Sequence, residues 1–360
     1  MDSSVLDYIL PEERIARFPA QKRDESKLLV FDRKTQKIIH SIFKELPSFL
    51  PNKFNIFRND AAVLKARIFA KKDTGANVEC LLLTPIENNK WNCMLRPAKR
   101  LKNGAIFGVE NVFSATVLEH LENGNCIVDF NLAPRFNNAV EMAEEIGVVP
   151  LPPYIRRNQN SPDYDRNFDN NRYETVYANS QKRVAAAAPT AGLHFTDKLI
   201  STMKSYGHVF NNLTLHVGIG TFQPLKTDVI EEHSMHGELY EIPTSTLEAL
   251  ANTSLPKLAV GTTSLRAIED FSRKNVGKKI DVTKPVIDTA SLFVYPPQRV
   301  ISADAMITNF HLPRSTLMCL VSTFLTPESN AGIELLKGIY SEAIEKEYNF
   351  YSYGDAMLIL

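Results

Sequence analysis

Three stretches of this 360-residue chain set threonine, asparagine and histidine immediately after short apolar runs. Arg183–Ala188 leads into Pro189-Thr190-Ala191-Gly192-Leu193-His194-Phe195, after which Thr196 opens an amphipathic stretch through Leu199, Ile200 and Met203. Lys257–Val260 leads into Gly261-Thr262-Thr263, with Arg266 one turn further on and Leu265, Ile268 and Phe271 at helical spacing. Ala305–Ile307 leads into Thr308-Asn309-Phe310-His311-Leu312-Pro313, after which Ser315 or Thr316 opens an apolar helix. Each reads as strand, turn and helix. Such turns place small polar groups and free backbone N–H groups at the carboxyl edge of a sheet, where α/β proteins bind ligands. Helix N-termini there attract carboxylates and phosphates. Serine and threonine at these places also serve as plain N-caps. It is the recurrence, with a histidine in two of the three, that marks a candidate site.

A fourth stretch, Leu213–Phe222, alternates Leu213, Leu215 and Val217 with Thr214 and His216, which sets His216 away from the apolar face. Gly218, Gly220 and Thr221 follow, and glycines in such a run admit a ligand or a second chain close to the backbone. His233, His236 and Glu238 lie within six residues. Their spacing is loose for a metal and suits hydrogen bonding or proton transfer better, so no metal is expected. The candidate acids and bases are thus His194, His216, His236, Glu238 and His311. Gly192, Gly218, Gly220 and Gly261 join Thr190, Thr221, Thr262, Thr263, Arg266 and Asn309 as candidates for holding a small molecule. No phosphate-binding lysine loop, G-x-G-x-x-G or G-x-S-x-G occurs, which argues against nucleotide hydrolysis of the P-loop kind, a standard dinucleotide site and a standard serine hydrolase. Cys80, Cys93, Cys126 and Cys319 are isolated in sequence, so a zinc ribbon or iron–sulfur cluster is not expected and buried thiols are.

Charge points to a second kind of ligand. The 41 cationic and 41 anionic side chains cancel overall, yet residues 1–110 hold 20 of the former and 13 of the latter. Arg96, Lys99, Arg100 and Lys102 fall within seven residues, and Arg156 and Arg157 precede a polar stretch. Basic runs of this kind engage phosphates when they are more than a solvated face.

The elements that must carry these groups divide in two. From about residue 62 to 150, short apolar or β-branched runs (Val63–Phe69, Val78–Leu83, Trp91–Leu95, Ala105–Phe107, Ser114–Leu118 and Cys126–Phe130) are separated by turn residues such as Asp73-Thr74-Gly75 and Asn123-Gly124. That pattern predicts a small antiparallel barrel or sandwich, closed by a helix over Asn138–Glu145. Residues 1–61, expected to mix short strands with a helix, and 151–360 read as the two parts of an α/β domain with a largely parallel sheet into which the β-rich domain is inserted. Asn158–Arg172 reads as a long exposed loop. Length and 44% hydrophobic content fit a chain with a sizeable core. No apolar run reaches the ~18 residues of a membrane span and no leader pattern is present, so a cytoplasmic protein is expected.

Taken together, AAPTAGLHFT (187–196), LTLHVGIGTF (213–222), HSMHGE (233–238), AVGTTSLRAIE (259–269), ITNFHLPRSTL (307–317) and FYSYGDAMLI (350–359) resemble the S-adenosylmethionine:tRNA ribosyltransferase-isomerases of queuosine biosynthesis. KLLVFDR (27–33), VECLLL (78–83), RPAKRLK (96–102), PLPPYI (150–155) and RYETVYA (172–178) fit as well. The chain departs from the family pattern at Asn59-Asp60-Ala61-Ala62-Val63, which lacks a Thr-Arg pair, at Thr74-Gly75-Ala76, and at Glu174, where glutamine is usual. The resemblance implies S-adenosylmethionine as ribosyl donor and co-substrate. The acceptor would be the aminomethyl group of 7-aminomethyl-7-deazaguanine at the tRNA wobble position, the product epoxyqueuosine, and the leaving groups adenine and methionine. It implies no metal and no membrane, and a monomer is expected. Two other classes compete: a zinc-dependent tRNA base-exchanging transglycosylase, which isolated cysteines do not suit, and a non-catalytic RNA-binding protein, which leaves the histidine-bearing turns unexplained.

Overall fold

The computed structural model describes every residue except 88, 156, 158–164, 219–224 and 226. The chain opens with strands β1 (Lys27–Asp32), β2 (Lys37–Ile42), β3 (Asn55–Asn59) and β4 (Ala61–Val63). It then enters β5 (Arg67–Lys72), β6 (Asn77–Glu87), β7 (Lys90–Arg96), β8 (Ile106–Val109), β9 (Phe113–His120) and β10 (Cys126–Leu132), followed by helices α1 (Ala139–Ile146) and α2 (Arg166–Arg172). The remainder runs β11 (Asn179–Ala185), α3 (Asp197–Ser205), β12 (Val209–Leu215), β13 (Glu238–Ile242), α4 (Thr244–Ala251), β14 (Lys257–Val260) and α5 (Gly261–Lys274). It closes with β15 (Val286–Ala290), β16 (Ala305–Asn309), α6 (Thr316–Leu325), α7 (Gly332–Glu345) and β17 (Ala356–Ile359).

The core is a nine-stranded sheet in the order β15-β13-β12-β3-β14-β16-β17-β1-β2. Its centre is parallel, β12 on β3, β3 on β14 and β14 on β16, and β1 also runs parallel to β17. Both margins are antiparallel. Period-two alternation in the central strands feeds two hydrophobic layers, because both faces are covered. Leu29, Phe31, Phe57, Ala259, Met306 and Met357 pack beneath α5, α6 and α7. Their neighbours Leu28, Val30, Ile56, Leu258, Ile307 and Leu358 pack against α3 and the 3₁₀ segment Phe43–Phe49.

The six strands β5–β10 close into an antiparallel barrel in the order β10-β7-β6-β5-β8-β9. Alternate residues point inward, as in β7, where Trp91, Cys93 and Leu95 are buried. The barrel has its own hydrophobic core. Cys80, Cys93 and Cys126 lie in that core as free thiols, and Cys319 is buried in α6. The chain leaves the sheet through Asn59, whose carboxamide oxygen accepts from the backbone N–H groups of Ala61 and Leu215 and whose Nδ2 donates to the Leu215 carbonyl. It returns at Val148, which is bridged to Arg67.

Two expectations need correction. Residues 1–60 contain 3₁₀ turns and strands where a helix was expected. The Asn158–Arg172 stretch is not an exposed loop throughout: its last seven residues form α2, because Asp169 turns inward onto Arg157 and the Tyr353 hydroxyl. No helix among the described residues is long and apolar enough to cross a membrane.

A separate core and adjoining chain ends are the marks of an independently folding insert. We propose that residues 62–150, expressed alone, fold. The chain's single tryptophan, Trp91, is 6% exposed in the barrel core. Its emission in the fragment should match that of the full chain and shift to red in one cooperative step on heating. A solvent-exposed emission spectrum at 25 °C would overturn this boundary.

Candidate active site

The carboxyl ends of β14 and β16 open onto a cleft whose empty volume, its open mouth included, is about 700 Å³. The two strands are parallel neighbours, so the residues that follow them arrive side by side. Val260 runs straight into α5, which begins at Gly261 itself; the separate turn expected there does not exist. Gly261 has φ +86°, in the left-handed region, which lets the chain bend from strand to helix without a Cβ penalty. Thr262 and Thr263 follow on the first turn of α5 and line the cleft, and Ser315, which caps α6, lines it too. Two helix N-termini therefore border one space. Thr190, Thr308, Asn309 and His311 complete the polar wall. Tyr154, Phe310 and Tyr351 supply aromatic surface, with the Tyr154 and Tyr351 rings 4.6 Å apart.

Asn309, 3% exposed, organises the floor. Its Nδ2 donates to the Tyr351 carbonyl at 3.0 Å, and this fixes which way the amide points. The same nitrogen faces Nε2 of His194 at 3.3 Å, and the amide oxygen accepts from the Thr190 hydroxyl at 3.3 Å. Nε2 of His194 must then be bare, so Nδ1 carries the hydrogen and donates to Ser26 Oγ at 2.8 Å; Ser26 in turn donates to the Arg23 carbonyl. His194 lies behind the wall and does not line the cleft. Burial, reinforced by the Arg23 cation, lowers its pKa to about 3. It is a neutral acceptor that orients Asn309.

His311, 9% exposed, does line the cleft. Its Nε2 is hydrogen-bonded to the Thr308 hydroxyl at 2.8 Å. Nδ1 has no partner among the described residues. Burial brings this ring also to a pKa of about 3, so it meets a ligand uncharged. The Thr263 hydroxyl, buried in the cleft wall, likewise has no partner among the described residues.

The other expected residues lie elsewhere. His216 contacts Glu241 at 3.3 Å, in a cluster where Lys182 bridges Glu241 and Thr214 and Thr214 donates to Asp60. Glu238 is paired with Arg266 at 2.5 Å and accepts from the Gly218 N–H at 3.0 Å, tethering the strand end beside cleft-lining Val217. Arg266 also donates through Nη2 to the carbonyls of His236 and Ala290, so it is held within the fold, and it does not line the cleft. Gly192 is pressed against Tyr177, whose hydroxyl an added Cβ would strike. Gly220, Thr221 and Arg156 are outside the described residues. Arg157 is folded inward onto Asp169 at 2.7 and 2.9 Å and is closed to phosphates, whereas Arg96, Lys99, Arg100 and Lys102 are exposed on the barrel. Sequence reasoning missed Tyr154, Tyr351, Ser352 and Ser26. Tyr154 and Ser352 are hydrogen-bonded to each other although 198 residues apart, so their only local signal was the pair of segments PLPPYI and FYSYGDAMLI. Among the described residues no three His, Cys, Asp or Glu side chains gather as metal ligands.

Fold and cleft define an α/β protein that carries an uncharged small-molecule site and an inserted β-barrel with one exposed basic turn. Residues 3–359 match the family described as queuosine biosynthesis protein, and the chain belongs to that family. It is 43% identical, over 98% of its length and 97% of the relative's, to the S-adenosylmethionine:tRNA ribosyltransferase-isomerase of a Nitratiruptor species. It is 40% identical to the Thermotoga maritima protein of the same name, with both chains covered completely. A crystal structure of S-adenosylmethionine tRNA ribosyltransferase from Thermotoga maritima superposes with a TM-score of 0.54 at 32% identity, covering 99% of this chain and 100% of that one.

The two neutral histidines have a consequence for stability. Unfolded, each ring takes up a proton near pH 6.5; folded, each does so only near pH 3. The unfolded chain holds more protons between those values, so acid weakens the fold across that window and the contribution is whole above it. From pH 7 to pH 5 each ring should account for about 2 kcal/mol of lost stability. In the His194→Gln, His311→Asn double variant, the difference between urea midpoints at the two pH values should shrink markedly. An unchanged difference would mean that the rings are charged in the fold.

Proposed function

We propose that this chain transfers and isomerises the ribosyl unit of S-adenosylmethionine onto the aminomethyl group of 7-aminomethyl-7-deazaguanine in the tRNA wobble position, giving epoxyqueuosine with release of adenine and methionine. The end-to-end match to enzymes of that name carries this reading. The cleft supports it. A methionine carboxylate is suited to the N–H groups of α5 or α6. A sulfonium is suited to the faces of Tyr154 and Tyr351. Ribose hydroxyls and adenine nitrogens are suited to Thr190, Thr262, Thr263 and the Nδ1 of His311. The sulfonium acidifies the neighbouring C5′ hydrogen, so a base must stand close to it. A neutral His311 hydrogen-bonds there without adding a cation that would oppose the sulfonium. His216, Glu238 and His236 belong to the surround of Val217 and Gly218 and serve as positioning residues.

Two substrates imply two separable sites. Thr263→Val keeps the shape and removes one buried hydroxyl that no described residue engages. It should raise KM for S-adenosylmethionine by about 2–12-fold, the worth of one hydrogen bond, and leave the thermal midpoint unchanged or higher. A lowered midpoint with KM unmoved would show that the hydroxyl serves the fold alone.

Lys99→Ala with Arg100→Ala should raise KM for tRNA and flatten its salt dependence by about 0.7–0.9 for each phosphate no longer neutralised. KM for S-adenosylmethionine should not move. Steady-state adenine release at two salt concentrations reads both, and a tRNA KM equal to wild type would make the cluster a solvated face. The whole reading fails if adenine release does not require tRNA bearing 7-aminomethyl-7-deazaguanine.

A further inference from the structure

The cleft is not the largest concavity on the molecule. A broader, open groove of about 1510 Å³, solvent at its mouth included, crosses the outer face of the barrel over β5, β8, β9 and β10. Its floor follows from register. Lys71 lies opposite Gly108, Gly108 opposite Ser114, and Ser114 opposite Asn131, so one row across four strands carries small polar groups and a bare glycine. Gly108 must stay bare, because an added Cβ would collide with the Phe113 carbonyl. At the rim stand two large apolar side chains that the fold leaves in water, Phe69 at 42% and Ile106 at 53% exposure. Phe69 points outward and takes no part in the barrel's core.

The charge around the groove is as unusual. Lys65, Arg67, Lys90 and Arg135, elsewhere on or beside the barrel, are each paired with a glutamate. Lys71, Lys99, Arg100 and Lys102 have no acidic partner among the described residues. Lys72 donates to the Arg100 carbonyl, which ties the basic turn to the end of β5. That turn runs through Lys102 directly into β8 and Ile106. In the groove lining Lys71 and Lys72 are matched by Asp73 and Glu110, and the excess of positive charge comes from Lys99, Arg100 and Lys102 on the adjoining turn.

An exposed ring beside a row of unpaired cations over a flat polar floor is the arrangement that holds single-stranded nucleic acid: bases stack on the aromatic face and phosphates follow the charge. We propose that this groove seats an unstacked anticodon-loop nucleotide of the tRNA, its base on Phe69 and its flanking phosphates on Lys71, Lys72, Arg100 and Lys102. The proposal rests on tRNA being the substrate and adds where, and by which contact, a nucleotide other than the reacting one is held. A base edge would meet Ser114 and Asn131, and Gly108 would let the base lie flat.

The test uses the full chain and an anticodon stem-loop oligoribonucleotide. Phe69→Ser should weaken binding by about 5–150-fold, the range for losing one stacked base. Phe69→Tyr should bind as wild type. Because this change removes no cation, the salt slope of Phe69→Ser should equal that of wild type, while Lys71→Ala with Lys102→Ala should flatten it. In Phe69→Trp the added indole should be quenched by the stem-loop, against a native Trp91 that stays buried. Wild-type affinity in Phe69→Ser, equal weakening towards a blunt RNA duplex, or a change in sedimentation instead of in RNA affinity would each overturn the proposal, the last by making the face a contact between copies. The functional reading stands apart from all of these, since it is judged by adenine release from the unaltered protein.

Discussion

One buried carboxamide decides the form of the cleft. Asn309 ends a central strand and is the point at which three distant segments are joined: the Thr190–His194 turn, the Tyr351 carbonyl and, through His194 and Ser26, the stretch before β1. A buried amide must satisfy two donors and an acceptor or lose about 1–3 kcal/mol for each group left bare. Every hydrogen in the chain from Thr190 to the Arg23 carbonyl has one consistent placement, so the tautomer of His194 and the facing of Asn309 set each other. Replacing either end of such a network disturbs the rest, and a polar network of this kind specifies geometry more than it adds stability.

Desolvation, not charge pairing, governs the site. The ion pairs near it, Glu238 with Arg266 and Glu241 with Lys182, lie outside the cleft and hold its walls. Inside stand hydroxyls, backbone N–H groups, an amide and a neutral imidazole. A cationic sulfonium is accommodated better by such a surface than by one that carries a protonated histidine, and burial alone suffices to keep His311 uncharged. The barrel's basic turn follows the opposite rule, keeping Arg96, Lys99, Arg100 and Lys102 in water, where they act over a Debye length on a polyanion. The two halves of the protein therefore suit substrates of opposite character, and the Asn59 and Val148 junctions keep them in one chain.

Much was legible from residue order. Short apolar or β-branched runs marked the barrel strands, and the turn residues between them marked their spacing. The α/β character of the remainder followed from apolar runs that end in small polar residues. Thr190, Gly261, Thr262, Thr263, Asn309 and His311 were locally visible as candidates, since a strand's carboxyl end is a property of local sequence. The basic run at Arg96–Lys102 was visible as composition, and its four cations do stand exposed on the barrel. The inward turn of Arg157 was not foreseeable: nothing near it in sequence announces Asp169 as its partner.

Tertiary structure alone decided which candidates meet. β14 and β16 are neighbours only because the sheet orders them so, and that adjacency brings Gly261 and Asn309 to one space while leaving His216 with Glu241. Tyr154, Tyr351 and Ser352 enter the cleft from segments about 200 residues apart, a closure that no local pattern encodes. The sequence determined which residues could hydrogen-bond, carry charge or bend the backbone, since those are properties of single side chains and short spacings. Their protonation, partners and solvent exposure were set by burial and by long-range pairing, because a histidine's charge and an arginine's freedom depend on what the rest of the chain folds against them.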